Sequence, residues 1–298
     1  MTPAAIEIVE VGPRDGLQNE SVHVSTADKV SLIERTIAAG VRRIEVASFV
    51  NPARVPQMAD AEAVVAALPD RSDVSYVALV LNQRGAERAL ATRIDELGAV
   101  CVASDRFAMR NQGQTSLESV AVASAIVTTA LGAGRSGQIT IAAAFGCPFE
   151  GEVPPDRVVA MAVEAAQASP REVALADTIG VAVPAQVFSL VGRVVEAIAP
   201  TPVRVHMHDT RNTGVANVWA AVQAGATTVD ASLGGLGGCP FAPAATGNVA
   251  TEDVAYLLER SGVRTGLDLG ELIAASGWLA ALMGKPLPAA LSRAGPFP

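Results

Sequence analysis

One segment near the start of the chain helps to decide between an open, doubly wound sheet and a closed barrel. It reads Ile6-Glu7-Ile8-Val9-Glu10-Val11-Gly12-Pro13-Arg14-Asp15-Gly16. Its first part, Ile6–Val11, is rich in β-branched residues and predicts a strand. An open, doubly wound sheet would place a glycine-rich phosphate-binding turn directly after this strand. The turn here instead carries a proline, an arginine and an aspartate, and its glycines lack that spacing. The segment therefore disfavours an open nucleotide-binding sheet.

From this strand onward, short β-rich runs alternate with longer segments rich in alanine, glutamate and arginine. The predicted strands are Ile6–Val11, Arg43–Ser48, Val74–Val80, Ala99–Ala103, Gln138–Phe145, Glu172–Ala176, Val203–Met207 and Thr228–Ser232. The predicted helices are Thr26–Ala39, Pro56–Leu68, Gln83–Thr92, Leu117–Leu131, Pro155–Ala168, Pro184–Ala199, Asn212–Ala224 and Thr251–Arg260. Eight repeats with mostly apolar strands favour parallel pairing covered by helices. The predicted fold class is therefore α/β, a (β/α)8 TIM barrel.

The whole chain, residues 1–298, is expected to form a single barrel domain. A length of 298 residues suits one barrel, and neither a low-complexity linker nor a change in composition divides the sequence. The segment Leu269–Met283 predicts an extra helix, and the proline-rich end that follows is expected to be loose. Residues 269–298 are thus an extra helix and tail.

Composition excludes several classes of partner. The chain is 50% apolar, and its net charge of −8 argues against nucleic acid and against an anionic membrane surface. No run reaches the roughly 20 uninterrupted apolar residues of a membrane span. The first residues lack the basic region and apolar core of a signal peptide. Three cysteines do not make a disulfide framework, so a cytoplasmic protein is expected.

A pair of histidines points to a metal site. His206 and His208 are two residues apart on a predicted strand, so their side chains leave on the same face. If that face is the barrel interior, two imidazoles converge in a way typical of divalent-metal sites, although two hydrogen-bonded core histidines are the alternative. Asp15 could add a carboxylate from across the barrel, and Asn248 a neutral oxygen. Such a set suits Mg²⁺ or Mn²⁺ better than structural zinc.

Three further charged residues fall at or near predicted strand ends. Arg14 cannot act as a base at neutral pH, so it either stabilises an oxyanion or enolate or forms a surface ion pair. Glu45 and Asp177 are charged residues in otherwise apolar strands. They are expected to be buried partners of Arg14 and the histidines or to take part in proton transfer, with the supporting role favoured for Glu45.

Cys239 follows a run with four glycines in six residues. Such a loop can close over a site, and a thiol there can donate or accept a proton, whereas the alternative is a small loop residue without a role. Cys101 and Cys147 are expected to pack in the core. The two lysines, Lys29 and Lys285, fall away from predicted strand ends, which disfavours Schiff-base chemistry.

Several ordered motifs together resemble one family. They are Val9-Glu10-Val11-Gly12-Pro13-Arg14-Asp15-Gly16-Leu17-Gln18-Asn19-Glu20, Ser48-Phe49-Val50-Asn51-Pro52, Val55-Pro56-Gln57-Met58, Gly146-Cys147-Pro148-Phe149-Glu150-Gly151, Asp177-Thr178-Ile179-Gly180, His206-Met207-His208-Asp209-Thr210 and Gly235-Leu236-Gly237-Gly238-Cys239-Pro240-Phe241-Ala242-Pro243. The chain resembles the 3-hydroxy-3-methylglutaryl-CoA lyases, metal-dependent lyases on a (β/α)8 barrel. The resemblance runs from Ile6 to about Gly284.

The resemblance implies roles for the residues above. Metal ligands would be Asp15, His206, His208 and Asn248, of which Asp15 and His206 also count as catalytic. Arg14 would face the thioester carbonyl, while Glu45, Asp177 and Cys239 would serve proton transfer and loop closure. The implied reaction cleaves 3-hydroxy-3-methylglutaryl-CoA to acetyl-CoA and acetoacetate with Mg²⁺ or Mn²⁺. The implied partners are a small acyl-CoA thioester and further copies of the chain in a dimer or tetramer, but neither nucleic acid nor membrane.

One departure bears on the substrate. After His206–Thr210 the chain reads Arg211-Asn212-Thr213-Gly214, where animal members of the family carry a Tyr-Gly-Gln-Ala type of stretch. This segment follows the proposed ligands and could reshape the acyl pocket. The alternatives are a lyase for a related 3-hydroxy-3-substituted glutaryl-CoA or another hydroxyacyl-CoA, an acetyl-CoA-dependent Claisen synthase, and a non-catalytic barrel.

Overall fold

Eight parallel strands close into a barrel in the computed structural model, which describes residues 3–239 and 242–297 but not the side chains of residues 239 and 242–245. The strands are β1 (Glu7–Glu10), β2 (Arg43–Ser48), β3 (Ser75–Val80), β4 (Glu96–Val102), β5 (Ser136–Ala142), β6 (Val173–Ala176), β7 (Val203–His206) and β8 (Thr228–Ala231). The pairing of β1 with both β2 and β8 closes the barrel, because Val9 lies level with Arg43 on one side and Asp230 on the other. The predicted (β/α)8 barrel is confirmed.

Helices cover the outside of the barrel. They are α1 (Thr26–Ala38), α2 (Ala61–Ala67), α3 (Gln83–Leu90), α4 (Asp105–Gln112), α5 (Ser116–Gly132), α6 (Pro155–Ala166), α7 (Pro184–Ile198), α8 (Gly214–Gln223), α9 (Thr251–Arg260), α10 (Leu269–Met283) and α11 (Leu291–Ala294). Polar residues fix several starts: Ser25 accepts from the Asp28 amide, and Thr115 and Glu118 form a reciprocal capping box. These caps satisfy free backbone amides of the first turn and so fix where the helices begin.

Two helices differ from the sequence-based prediction. The predicted helix Pro56–Leu68 is divided into a 3-10 turn at Pro56–Met58 and the shorter α2. The cause lies in α1, where the buried Lys29 ammonium binds the Gln57 carbonyl and the Asp60 carboxylate, so that carbonyl does not continue a helix. The short α4 was not predicted, although Ser104 caps its start and Gly113, with φ of 72°, ends it.

The segment after β8 is irregular and leads to the mouth of the barrel. Leu233–Gly235 form a 3-10 turn, followed by an antiparallel pair, β9 (Gly238–Cys239) and β10 (Ala242–Thr246). The extra helix Leu269–Met283 appears as α10 and packs against α1. The end after it differs from the loose tail expected, because Leu287, Ala289 and Leu291 are buried.

The barrel interior is polar over much of its length, whereas TIM barrels usually fill it with branched apolar residues. At the N-terminal end, the fully buried Arg43 pairs with Glu96 on β4 and with Glu172, just before β6. The apolar core lies between strands and helices. Over the described part of the chain, no single helix has both the length and the apolar composition of a membrane span; α4 and α5 together reach both, across a 55° bend.

Candidate active site

A cavity of about 570 Å³ opens at the C-terminal ends of the strands and extends into the barrel. Its lining brings together predicted site residues from three strands and the turns that follow them, β1, β2 and β7: Arg14, Asp15, Glu45, His206 and His208. In TIM barrels the reactive groups lie at this end, in the loops that follow the strands. The expected gathering of polar side chains is therefore present in one cavity.

The turn after β1 presents Arg14 and Asp15. It is a wide turn, Gly12–Gly16, in which the Gly16 amide donates to the Val11 carbonyl at 3.2 Å. Arg14 Nε donates to Glu45 Oε2 at 2.7 Å, and its Nη1 lies 2.5 Å from Asp15 Oδ1. Glu45, on β2, is thus a buried partner of Arg14, and the guanidinium is held between two carboxylates.

The two histidines face Asp15 across the barrel. His206 Nε2 and His208 Nε2 are 3.1 Å apart, and His206 Nε2 is 3.8 Å from Asp15 Oδ2. Ligand atoms of these three side chains all lie within 4.8 Å of one another. Asn248 joins them from the loop before α9, where its Nδ2 donates to Asp15 Oδ2 at 3.0 Å.

The residues fit a divalent cation. Asn248 Oδ1 is buried without a hydrogen-bond partner among the residues that the structure describes. Buried polar atoms are rarely left without partners unless a ligand, ion or water meets them. Two imidazoles with one carboxylate and one amide are a donor set that divalent metals accept.

Protonation states agree with this fit. Burial would raise the pKa of Asp15, but the Arg14 guanidinium, the two histidines and the hydrogen bond from Asn248 together outweigh burial and hold that pKa well below its usual range. Burial and the charge of His206 lower the pKa of His208 to about 3, so its imidazole is neutral near pH 7. Burial raises the pKa of Glu45, although Arg14 opposes this. Asp15 and His208 are thus in the ionised and neutral forms that bind metals. His206 differs, because burial would lower its pKa but the hydrogen bond with Asp230 and the charge of Asp15 raise it.

Asp177 is placed differently from the other predicted site residues. It follows β6 and is buried, but it is not among the described residues that line the cavity. Its Oδ1 accepts from the Val181 amide at 2.9 Å and its Oδ2 from the Ala182 amide at 3.0 Å. The carboxylate therefore braces the turn before α7, and burial raises its pKa.

The side chain of Cys239 lies outside the described residues, so its proposed role is not tested. The glycines before it are better defined. Gly237 has φ of +112°, and a Cβ built there would lie 2.8 Å from Asn248 Nδ2 and 3.1 Å from Gly16 Cα. Only glycine fits this close approach between the loop, the amide and the turn after β1. Cys101 and Cys147 are buried free cysteines, as expected.

Two cavity residues were missed in the sequence. Asp230 on β8 lies level with His206, and its Oδ2 is 3.1 Å from His206 Nδ1. Arg204 lies two residues before His206 on β7 and reaches Asp230 at 3.4 Å. The available signal was the one that singled out Glu45, a charged residue inside an apolar strand.

Comparison with known proteins identifies close relatives. A model of the family described as HMGL-like matches residues 5–278. An (R)-citramalyl-CoA lyase from Chloroflexus aurantiacus is 47% identical over 98% of this chain and 95% of its own length. The crystal structure of HMG-CoA lyase from Bacillus subtilis superposes with a TM-score of 0.95 at 39% identity, covering 98% of each chain. An HMG-CoA lyase from Acinetobacter baumannii, in complex with coenzyme A and 3-methylmalate, gives a TM-score of 0.93 at 40% identity over 99% of this chain and 97% of that one.

These relatives share one fold with this chain and differ in the acyl group that their names give. The family match spans almost the whole barrel, from the residue before the first predicted strand to α10. The relatives with the highest similarity described above are lyases acting on CoA thioesters. The chain is therefore an enzyme of the HMGL-like lyase family.

Proposed function

We propose that the protein is a divalent-metal-dependent carbon–carbon lyase that cleaves 3-hydroxy-3-methylglutaryl-CoA to acetyl-CoA and acetoacetate. The observation that carries this proposal is the convergence of Asp15, His206 and His208 beside Arg14 in one cavity. A cation site and a fixed guanidinium together suit a reaction in which a hydroxyl is deprotonated and negative charge then moves to a thioester.

The metal would be Mg²⁺ or Mn²⁺, held by Asp15, His206, His208 and Asn248. When bound, such an ion supplies Lewis acidity that lowers the pKa of a hydroxyl group and organises oxygen ligands. The unpartnered Asn248 Oδ1 and the facing imidazole nitrogens support this ligand set. We propose that residues 1–298 act as one catalytic domain, in a dimer or tetramer.

The residues of the chain then divide the remaining work. The substrate hydroxyl passes its proton to one of the carboxylates that line the cavity. The bond between C2 and C3 then breaks, and the electron pair of that bond passes to the acetyl-CoA fragment as an enolate. Arg14, held by Glu45, stabilises the developing charge on the thioester oxygen. A proton returned to the enolate carbon completes acetyl-CoA, and we assign this step to Cys239 on the glycine loop. A part in proton transfer for Asp177 stays a prediction.

A second substrate is favoured by a specific observation, the 47% identity to an (R)-citramalyl-CoA lyase. Citramalyl-CoA also carries a tertiary hydroxyl, a methyl group and a carboxylate, with one methylene fewer than 3-hydroxy-3-methylglutaryl-CoA. The same bond cleavage would release pyruvate in place of acetoacetate. Arg211, in the stretch that departs from the family pattern, donates to the Ile179 and Gly180 carbonyls close to cavity residue Thr178.

Product analysis separates the two substrates. Purified enzyme with Mg²⁺ would be incubated with each thioester, and acetyl-CoA, acetoacetate and pyruvate would be quantified. We expect acetyl-CoA and acetoacetate in equal amounts from 3-hydroxy-3-methylglutaryl-CoA. Cleavage of citramalyl-CoA alone would replace the proposed substrate, and cleavage of neither would contradict the proposed lyase activity on these acyl groups.

A further inference from the structure

We propose that Asp230, braced by Arg204, is a positioning residue that orients the His206 imidazole and determines which ring nitrogen is free to bind the metal. The inference rests on the proposed function in one respect, because it takes His206 as a metal ligand. Both residues line the cavity from the barrel interior, and their side chains are 6% and 4% exposed. Neither falls in a sequence motif that points to the family.

The contact between Asp230 and His206 fixes a proton. Strand register places the two residues side by side on β8 and β7, and Asp230 Oδ2 is 3.1 Å from His206 Nδ1. An ionised carboxylate can only accept a hydrogen bond, so Nδ1 must carry the proton and donate it. In the neutral ring, Nε2 then keeps its lone pair.

That lone pair is directed at the side chains of two other proposed metal ligands. His206 Nε2 is 3.1 Å from His208 Nε2 and 3.8 Å from Asp15 Oδ2. The opposite tautomer would place a proton on Nε2, between these groups, and would leave Nδ1 facing the Asp230 carboxylate with lone pairs opposed. Carboxylates in this position relative to a ligating histidine hold its tautomer and its orientation.

Arg204 keeps Asp230 in place from the other side. Its Nη1 is 3.4 Å from Asp230 Oδ1, its Nη2 donates to Thr140 Oγ1 at 3.1 Å, and its Nε is 3.4 Å from Glu172 Oε1. Asp230 Oδ1 has no hydrogen bond from any described residue, so the guanidinium is its charged neighbour. Arg204 and His206 point to the same side of β7 because they are two residues apart. The order of contacts is therefore Arg204 to Asp230 to His206.

A matched control lies at the other end of the barrel. Glu96 on β4 is a fully buried carboxylate that pairs with an arginine, Arg43. It is not among the described residues that line the cavity. Glu96→Gln and Asp230→Asn each remove one buried negative charge with little change in size. A purely structural role for Asp230 would make the two variants behave alike.

The experiment reads the tautomer directly. The chain has three histidines, so ¹⁵N-histidine labelling gives few signals, and His23→Gln removes the one outside the site. Without added metal, and at a pH high enough for the His206 ring to be neutral, we expect the ring proton to lie on Nδ1 in the wild type and in Glu96→Gln, and to shift towards Nε2 in Asp230→Asn. Mn²⁺ titration followed by electron paramagnetic resonance should show affinity about 10–100-fold lower in Asp230→Asn, with a smaller loss in Arg204→Met.

Two outcomes would overturn the proposal. One is a wild-type His206 that carries its proton on Nε2, a result that needs no variant to fold. The other is a folded Asp230→Asn or Arg204→Met variant whose tautomer and Mn²⁺ affinity match the wild type. If the wild type binds no Mn²⁺ while the tautomer responds as expected, the metal-dependent function fails and the orientation of His206 by Asp230 stands.

Discussion

Arg14 connects the buried carboxylate of Glu45 with Asp15, one of the proposed metal ligands. Its guanidinium contacts Glu45, which is buried on β2, and Asp15, which faces the histidines. Lysine could supply the charge but not the planar fork that holds two carboxylates at once. The site thus depends on the position of this group as well as on its charge.

The consequence is testable by Arg14→Met, which removes the charge and keeps much of the length. We expect kcat to fall by about 10²–10³-fold, because a charge that stabilises the transition state is lost. The control is Arg71→Met, since Arg71 pairs with Asp73 in an exposed position far in sequence from the site, and its kcat should match the wild type. An Arg14→Met enzyme with wild-type turnover would remove Arg14 from the mechanism.

Among the elements, the loop between β8 and β9 contacts the site through Gly237. Gly237 combines a positive φ with contacts to Asn248 and Gly16, whereas Gly262, with φ of +80°, has nothing within 4 Å of its Cβ direction. Alanine should cost roughly 1–2 kcal/mol at both positions through the left-handed backbone. Only at Gly237 should it also displace Asn248.

These two glycines form a matched pair for one comparison. We expect Gly237→Ala to unfold at lower denaturant concentration than Gly262→Ala and to bind Mn²⁺ more weakly, whereas Gly262→Ala should keep wild-type Mn²⁺ affinity. Urea denaturation and Mn²⁺ titration measure the two effects separately. Equal stability and equal Mn²⁺ affinity in both variants would show that the loop does not depend on this close approach.

The junction between β1 and the loop after β8 is held by Glu10. Its Oε1 accepts from the Gly12 and Leu233 amides at 2.8 Å, and Thr251 Oγ1 lies 2.6 Å from its Oε2. Burial raises the pKa of Glu10 from 4.5 to about 7, against these hydrogen bonds. A carboxyl whose pKa is higher in the folded state stabilises the fold fully below the unfolded pKa and loses that contribution as pH rises through the folded pKa.

The raised pKa of Glu10 predicts how the stability of the protein changes with pH. The free energy of unfolding of the wild type, minus that of Glu10→Gln, should decrease between about pH 4.5 and 7, by a total on the order of 3 kcal/mol. Chemical denaturation at several pH values measures this difference, and other titrating groups cancel between the two proteins. A difference that is flat, or that rises with pH, would contradict the raised pKa.

For the whole molecule, the sequence was sufficient for the architecture because each strand and helix carried its own local pattern. The strand Arg43–Ser48 has the predicted bounds, and the strand Thr228–Ala231 ends one residue before the predicted end at Ser232. β4 begins at Glu96 and not at Ala99, because Glu96 is buried by its pairing with Arg43 from another strand. Such a long-range ion pair leaves no local signal.

The sequence predicted part of the candidate site and missed the part that depends on contacts between strands. Arg14, Asp15 and the two histidines were found because they occur at strand ends, where a barrel gathers its reactive groups. Asp230 was missed because its importance comes from lying level with His206 across two strands, which depends on register. Asp177 satisfied the same sequence criterion as Glu45, yet its oxygens are bound by backbone amides outside the cavity lining.

The central claim is that carbon–carbon cleavage by this barrel depends on a divalent ion held by the histidine pair. The most direct measurement is the rate of acetyl-CoA release from 3-hydroxy-3-methylglutaryl-CoA by enzyme stripped with a chelator and then titrated with Mg²⁺ or Mn²⁺. We expect the stripped enzyme to be inactive, activity to return with either ion, and His206→Ala to need much higher ion concentrations. Full turnover by the stripped enzyme, or His206→Ala with unchanged metal dependence, would contradict the claim.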